Sequence, residues 1–355
     1  MDVSIITIHD PDVNYGSTLQ SCATYNYIKQ LGYDAQIIDY KPQYLNLKKR
    51  IKKELPKLLF LKEAAIRRRK INHYFEHYAT LTRRYSTKED LFSNPPESKV
   101  YITGSDVIWN KHVNSEGGDP SFYLSFVNKG IKMSFSPSMG ELQPEESVSE
   151  IAEKISDFKY ISVREEASRK QLVQAGLNNV FCTMDPVFLH DKDYYVKQVG
   201  NNKYGKYTLV YLMSDTVEKR QTVSKLASIY GNQTVAFGGF RKKSDCDVFI
   251  RNAGVEDFLS LIYYADRIIT DSFHCISFSL IFNKQFVYLP SIDSSLRIEN
   301  LLDYAHLEKR ILKGSDSDLS GLAESDIDYS LVNEALQKHI CDTRAYLKNA
   351  LENSI

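Results

Sequence analysis

Short apolar runs rich in β-branched residues recur along this chain. Each is broken by a polar or glycine-bearing turn and then followed by a segment with helical spacing. The run "VSIITI" (Val3 to Ile8) passes through "HDPDVNYGS" into "LQSCATYNYIKQLG", with Ser17 or Thr18 near the helix start and Gly32 at its end. The next run, "DAQIIDY", closes a β-α-β unit. Parallel strands need such crossover helices, so the pattern restricts the chain to an α/β architecture that opens as a doubly wound domain.

The alternation continues. Strands are expected at "KVYITGSD", "IKMSFSP" and "YISVRE", and helices over Glu146 to Asp157 and Glu165 to Ala175. The first domain then ends near "MDPVFL" (Met184 to Leu189), and "DKDYYVKQVGNNKYGK" reads as a linker. A second series opens at "YTLVYLM". It continues with a helix near Val217 to Tyr230, the strand "QTVAFGG", the helix "EDFLSLIYYAD", the strand "RIIT", an apolar segment after His274, and "QFVYLP". The length of 355 residues suits two domains. The expected architecture is two Rossmann-like, doubly wound domains facing a central cleft: 1–190, carrying a basic helical insertion at 45–78, and 191–325. A C-terminal helix over 326–355 packs back on the first domain in this reading.

Forty-five basic and forty-five acidic side chains cancel, which gives no reason to expect a nucleic-acid partner. Five scattered cysteines without a C-x-x-C pair fit a reducing compartment rather than a disulfide framework. The N-terminus has an acid at position 2 and no basic region before its apolar run, so it reads as a strand and not a signal peptide. No apolar stretch approaches the roughly 20 residues that span a bilayer. A cytoplasmic protein is expected.

Several stretches carry chemistry, each beside a plainer alternative. In "TDSFHCISFSLIFNK" (Thr270 to Lys284), His274 stands where a buried strand gives way to a helix, the place at which open α/β sheets expose N–H groups to a crevice. "NYGSTLQ" places Asn14, Tyr15 and Gly16 at a helix entrance that favours an anion; a simple tight β-α turn is the competing reading. "ITGSDVIWN" puts Ser105 and Asp106 at a strand end, with Trp109 close behind. Asp106 can accept a proton or hydrogen bond from a sugar hydroxyl with Trp109 as a flat wall, or it caps a helix while Trp109 fills core. Arg164, in "ISVREEAS", can hold a carboxylate or phosphate in a fork, or can pair with a local acid. Arg241 and Lys242, in "GGFRKKSD", can cradle a phosphate or simply be solvated. Arg297, at the start of a helix, is open in the same way. His73 and His77 have metal-pair spacing but no evident third ligand, so no metal site is expected.

Taken in order, "NYGSTLQ", "LGYDAQIIDY", "GSDVIWN", "ISVREEAS", "MDPVFL", "TDSFHCISFSLIFNK" and "LRIENLL" resemble the motif series of the polysaccharide pyruvyl transferase family, from Asn14 to Leu302. The resemblance implies a fold similar to the two-domain GT-B glycosyltransferases. It also implies transfer of a pyruvyl group from phosphoenolpyruvate to a hexose as a cyclic ketal, with no separate cofactor. One departure is Cys275, where the family commonly has glycine after the histidine. In this reading His274 and Asp106 are the catalytic residues. Arg164, Arg297, Ser272, Arg241 and Lys242 bind the donor, and Asn14, Tyr15, Gly16, Ser105 and Trp109 bind the acceptor.

Acceptors in bacterial polysaccharide assembly are often lipid-linked. The basic segment 45–78 is therefore expected to touch the inner membrane surface, with a helical insertion that only packs on the first domain as the alternative. Two other functions are weighed against transfer: a nucleotide-sugar glycosyltransferase on the same architecture, and a non-catalytic carbohydrate-binding assembly protein.

Overall fold

A strand buried on both faces needs apolar residues at successive positions, and β1 (Val3–Ile6) is fully buried along its length. Around it the first sheet runs in the order β3-β2-β1-β4-β5, all parallel, with β2 at Ala35–Tyr40, β3 at Leu81–Tyr85, β4 at Val100–Thr103 and β5 at Ile131–Ser134. A parallel bridge from Met133 to Tyr160 continues this sheet toward the pair β6 (Ile161–Val163) and β7 (Val180–Cys182). The chain direction across the sheet reverses between β1 and β4. The computed structural model describes residues 1–9, 14–42, 61–110, 118–238, 246–290, 295–312 and 319–355.

Two compact units result. The first comprises Met1–Lys62, Asn72–Leu189 and His339–Ile355, and the second Glu63–Ile71 and His190–Lys338. Helices α1 (Tyr15–Gln30), α2 (Leu61–Tyr78), α3 (Lys88–Ser93), α4 (Glu145–Lys154) and α5 (Glu166–Gln174) are the crossovers of the first series. The core of this unit gathers Tyr40, Trp109, Phe122, Tyr123 and Phe126 with Ile151 and Leu172.

In the second unit the parallel order is β10-β9-β8-β11-β12, from β8 (Tyr207–Leu212), β9 (Gln233–Gly238), β10 (Val248–Ile250), β11 (Arg267–Thr270) and β12 (Gln285–Tyr288). Here the reversal falls between β8 and β11. The helices are α6 (Lys192–Val196), α7 (Val217–Tyr230), α8 (Val255–Tyr264), α9 (Phe273–Ile281), α10 (Ser295–Tyr304) and α11 (Leu319–Glu324), followed by the long α12 (Tyr329–Glu352). The end of α12 is anchored in the first unit, where the Thr343 hydroxyl accepts from the Met184 N–H at 2.9 Å and the Tyr346 hydroxyl donates to the Ser134 carbonyl at 3.0 Å.

Two sequence expectations change. The edge strand β3, "LTRRY", escapes a reading based on apolar runs because Arg83 and Arg84 are exposed on it. The stretch read as a linker begins with a helix: Asp191 caps α6, and buried Tyr195 packs edge-on against Phe278 at 4.9 Å. Among the described residues no helix is long and apolar enough to cross a membrane.

Candidate active site

Open parallel sheets bind ligands beyond the carboxyl ends of the strands at the point of reversal. In the first unit that point lies past β1 and β4. Asn14 caps α1, its side-chain oxygen accepting from the Ser17 N–H at 3.2 Å. The Ser17 hydroxyl crosses the reversal and donates to Asp106 Oδ2 at 2.5 Å. Asp106 Oδ1 accepts from the Val107 N–H at 2.8 Å, and the residue holds the left-handed conformation at φ 74°, uncommon outside glycine. Gly104 makes this corner passable: at φ 124° an added Cβ would press on the Phe135 carbonyl and lie 3.1 Å from Pro137.

Around Asp106 the expected residues gather. Ser105 is fully buried and donates to the Ser136 carbonyl at 2.9 Å, and Tyr15, the first residue of α1, is buried. Arg164 is also buried. Its Nη1 donates to Asp185 at 2.5 Å and its Nε to Glu165 at 3.3 Å, the ion-paired arrangement. Burial opposes the guanidinium charge, but Asp185, Glu165 and Asp106 together raise its pKa. Trp109 is fully buried, stacked on Tyr123 at 6.0 Å with its indole N–H on the Phe122 carbonyl, so the ring fills core and offers no wall to a sugar.

Sequence reasoning did not single out a second cluster at the same edge. His9 Nδ1 donates to the Thr7 carbonyl at 3.0 Å and Nε2 lies 3.0 Å from Asp39. Arg84 Nε donates to the other Asp39 oxygen at 3.1 Å, and Lys41 stands 3.4 Å away. Burial alone would raise the Asp39 carboxyl pKa. The hydrogen bond from His9, the charges of Lys41 and His9, and the hydrogen bond from Arg84 outweigh it and hold the group well below the usual carboxylate range.

In the second unit the reversal lies past β8 and β11. Ser272 caps α9, accepting from the Cys275 N–H at 3.4 Å, and His274 follows in the first turn, nearly buried and edge-on to Phe273 at 5.2 Å. The Arg297 guanidinium sits over the Phe273 ring, 5.9 Å from its centre. Cys275 is fully buried, and burial pushes its thiol up to about 12. Two further residues, unnoticed in the sequence, lock the corner: Asp271 and Lys219 form an ion pair at 2.6 Å. Arg241 and Lys242 lie outside the described residues. Among those described, no group of three or more His, Cys, Asp or Glu side chains could hold a metal ion.

Two parallel doubly wound units, each with polar side chains at its point of sheet reversal, define a GT-B-like α/β protein. Trehalose-6-phosphate synthase OtsA is similar at 9% identity, with a TM-score of 0.55 and 100% of both chains covered. UDP-N-acetylglucosamine 2-epimerase from Rickettsia bellii follows at 12% identity and TM-score 0.52, covering 99% of this chain and 98% of that one. LpCGTa, solved in complex with UDP, gives 11% identity and TM-score 0.51, with 99% and 98% covered. At these identities the likeness shows the fold alone. No curated protein matches the chain in sequence. The chain belongs to the polysaccharide pyruvyl transferase family, whose model matches residues 14–294.

Proposed function

We propose that the protein transfers the pyruvyl group of phosphoenolpyruvate to two hydroxyls of one hexose, forming a cyclic ketal on a saccharide destined for a bacterial surface polysaccharide. The observation that carries this reading is His274, set in the first turn of α9 beyond the end of β11, within a chain of this family. An imidazole can give and take protons near neutral pH, as the reaction requires.

The chemistry assigns roles. His274 protonates the methylene carbon of the enol phosphate, and the first sugar hydroxyl attacks the cationic C2. Phosphate then leaves, the second hydroxyl attacks, and the two hydroxyl protons pass to base and phosphate. Arg297 and the α9 terminus at Ser272 hold the donor's anionic groups. Arg241 and Lys242, which lie outside the described residues, are assigned to the same donor groups on their charge. Asp106 receives a proton from the acceptor, with Asn14, Tyr15 and Gly16 beside it and Ser105 beneath. Arg164, committed to Asp185 and Glu165, acts through its charge on Asp106 rather than by touching the donor. No separate cofactor enters this scheme.

The acceptor is lipid-linked at the cytoplasmic face in this reading. Residues 45–60 of the basic segment lie outside the described residues; over the rest, helix α2 buries Ile71, Tyr74 and Phe75 and exposes Arg68, Arg69 and His73, a face suited to electrostatic contact with anionic lipid. A nucleotide-sugar glycosyltransferase remains the second reading, favoured by a fold neighbour solved with UDP.

The test is phosphate release from phosphoenolpyruvate across a panel of hexose acceptors, in wild type and His274→Ala. Acceptor-dependent release falling about 10²- to 10⁴-fold in the variant is expected, with a ketal in the product by mass and NMR. No donor binding, or turnover indifferent to the substitution, overturns the assignment.

A further inference from the structure

Doubly wound units that bind phosphates hold them on the N–H groups of the first β-α turn and the helix it leads into. In the second unit that turn joins β8 to α7, and its first two N–H groups are already taken. The Met213 N–H donates to Asp271 Oδ1 at 2.5 Å. Oδ2 accepts from the Ser214 N–H at 3.1 Å, the Ser214 hydroxyl at 3.0 Å and Lys219 Nζ at 2.6 Å. Lys219 also donates to the Ser214 hydroxyl at 2.7 Å. The Asp271 side chain is fully buried, whereas Met213 above it is 55% exposed.

A carboxylate that only caps a helix takes one or two N–H groups. Asp271 takes two N–H groups, a hydroxyl and an ammonium, which is the donor set of a phosphate cradle. We propose that Asp271 is a specificity-determining residue, a resident anion that fills the phosphate cradle of the β8-α7 turn and so turns phosphoryl ligands away from it. This is independent of whether the protein transfers a pyruvyl group. It makes the turn, open to solvent at Met213, a latent site for inorganic phosphate or a phosphate ester.

The experiment uses the full chain. Thermal midpoints are recorded for wild type, Asp271→Ala and the double variant Asp271→Ala with Lys219→Met, against sodium formate and sodium phosphate, with sodium chloride at matched ionic strength. Formate replaces the deleted carboxylate. The single variant is expected to melt below wild type and to regain about 3–6 °C at tenfold excess of either anion over its Kd. Wild type and the double variant should respond no more than to chloride. Should Asp271→Ala not accumulate folded, refolding from urea in formate or phosphate against chloride reads the same dependence. Equal responses in wild type and Asp271→Ala, or a response surviving in the double variant, would overturn the proposal. Rescue by formate without rescue by phosphate would also overturn it, reducing Asp271 to a tie that holds the turn.

Discussion

Ser17→Ala removes a single hydroxyl from the first turn of α1, and the structure sets its cost. The lost bond is 2.5 Å long and is made to a carboxylate only 3% exposed, where solvent gives little compensation. A hydrogen bond to a charged group contributes about 1.5–3 kcal/mol. The Ser17 N–H keeps its Asn14 partner and Asp106 Oδ1 keeps the Val107 N–H, so the loss is confined to that one bond. For a unit of this size each kcal/mol moves the midpoint by about 2–4 °C, so a fall of about 3–12 °C is expected. Thermal and urea denaturation of wild type, Ser17→Ala and Ser17→Thr measures it, the threonine restoring a hydroxyl. A Ser17→Ala protein within about 0.5 kcal/mol of wild type, the range of an ordinary surface change, would refute the reasoning.

Two further outcomes follow from the ionisable groups. Asp39 has its carboxyl depressed in the folded state, so the stability it contributes is present above the ordinary carboxylate value of about 3.9 and is lost as pH falls through the lower folded value. Asp39→Asn should therefore cost about 3 kcal/mol at neutral pH and progressively less below about pH 4, read from urea midpoints between those limits; a gap that does not close with acid would contradict it. Among the thiols, exposed Cys341 should react with iodoacetamide in the native protein, while buried Cys22 and Cys275, both with thiol pKa values raised by burial, should react only on unfolding. Peptide mass mapping distinguishes the sites, and native labelling of Cys275 would show that the α9 corner opens in solution.

The interior strands were legible because parallel strands covered on both faces need near-continuous apolar runs, and "VSII", "VYIT", "YTLVYL" and "RIIT" supply them. The edges were not. β3 keeps two arginines exposed, and β10 is half-buried throughout, so neither shows a strand's full apolar signature. His274 could be placed from local order alone, since the strand and the helix flank it directly. Its neighbour Asp271 stood in the same motif, but the partner that gives it meaning, Lys219, is 52 residues earlier, and no spacing rule links them. The same holds for Arg164: acids adjacent in sequence were the obvious partners, yet the shortest bond goes to Asp185, 21 residues on. Long-range pairs at a sheet reversal are created by topology, which brings together the ends of strands far apart in the chain.

That topology places an acid at both reversals, and the two acids differ in what they can still do. Asp106 follows β4 and reaches back to Ser17 in α1; Asp271 follows β11 and reaches back to the β8-α7 turn. Each ties together strand ends that the reversal would otherwise leave with unpaired donors. A carboxylate offers about four lone-pair sites. Asp271 fills that capacity with four donors, one of them an ammonium, and has nothing left for a substrate hydroxyl. Asp106 accepts one N–H and one neutral hydroxyl, and the positive charge of Arg164 acts on it without an ion pair. Of the two acids pinned at a point of reversal, Asp106 is the one with fewer donors on it, which is why the proposed reaction gives it, and not Asp271, the proton of the attacking hydroxyl.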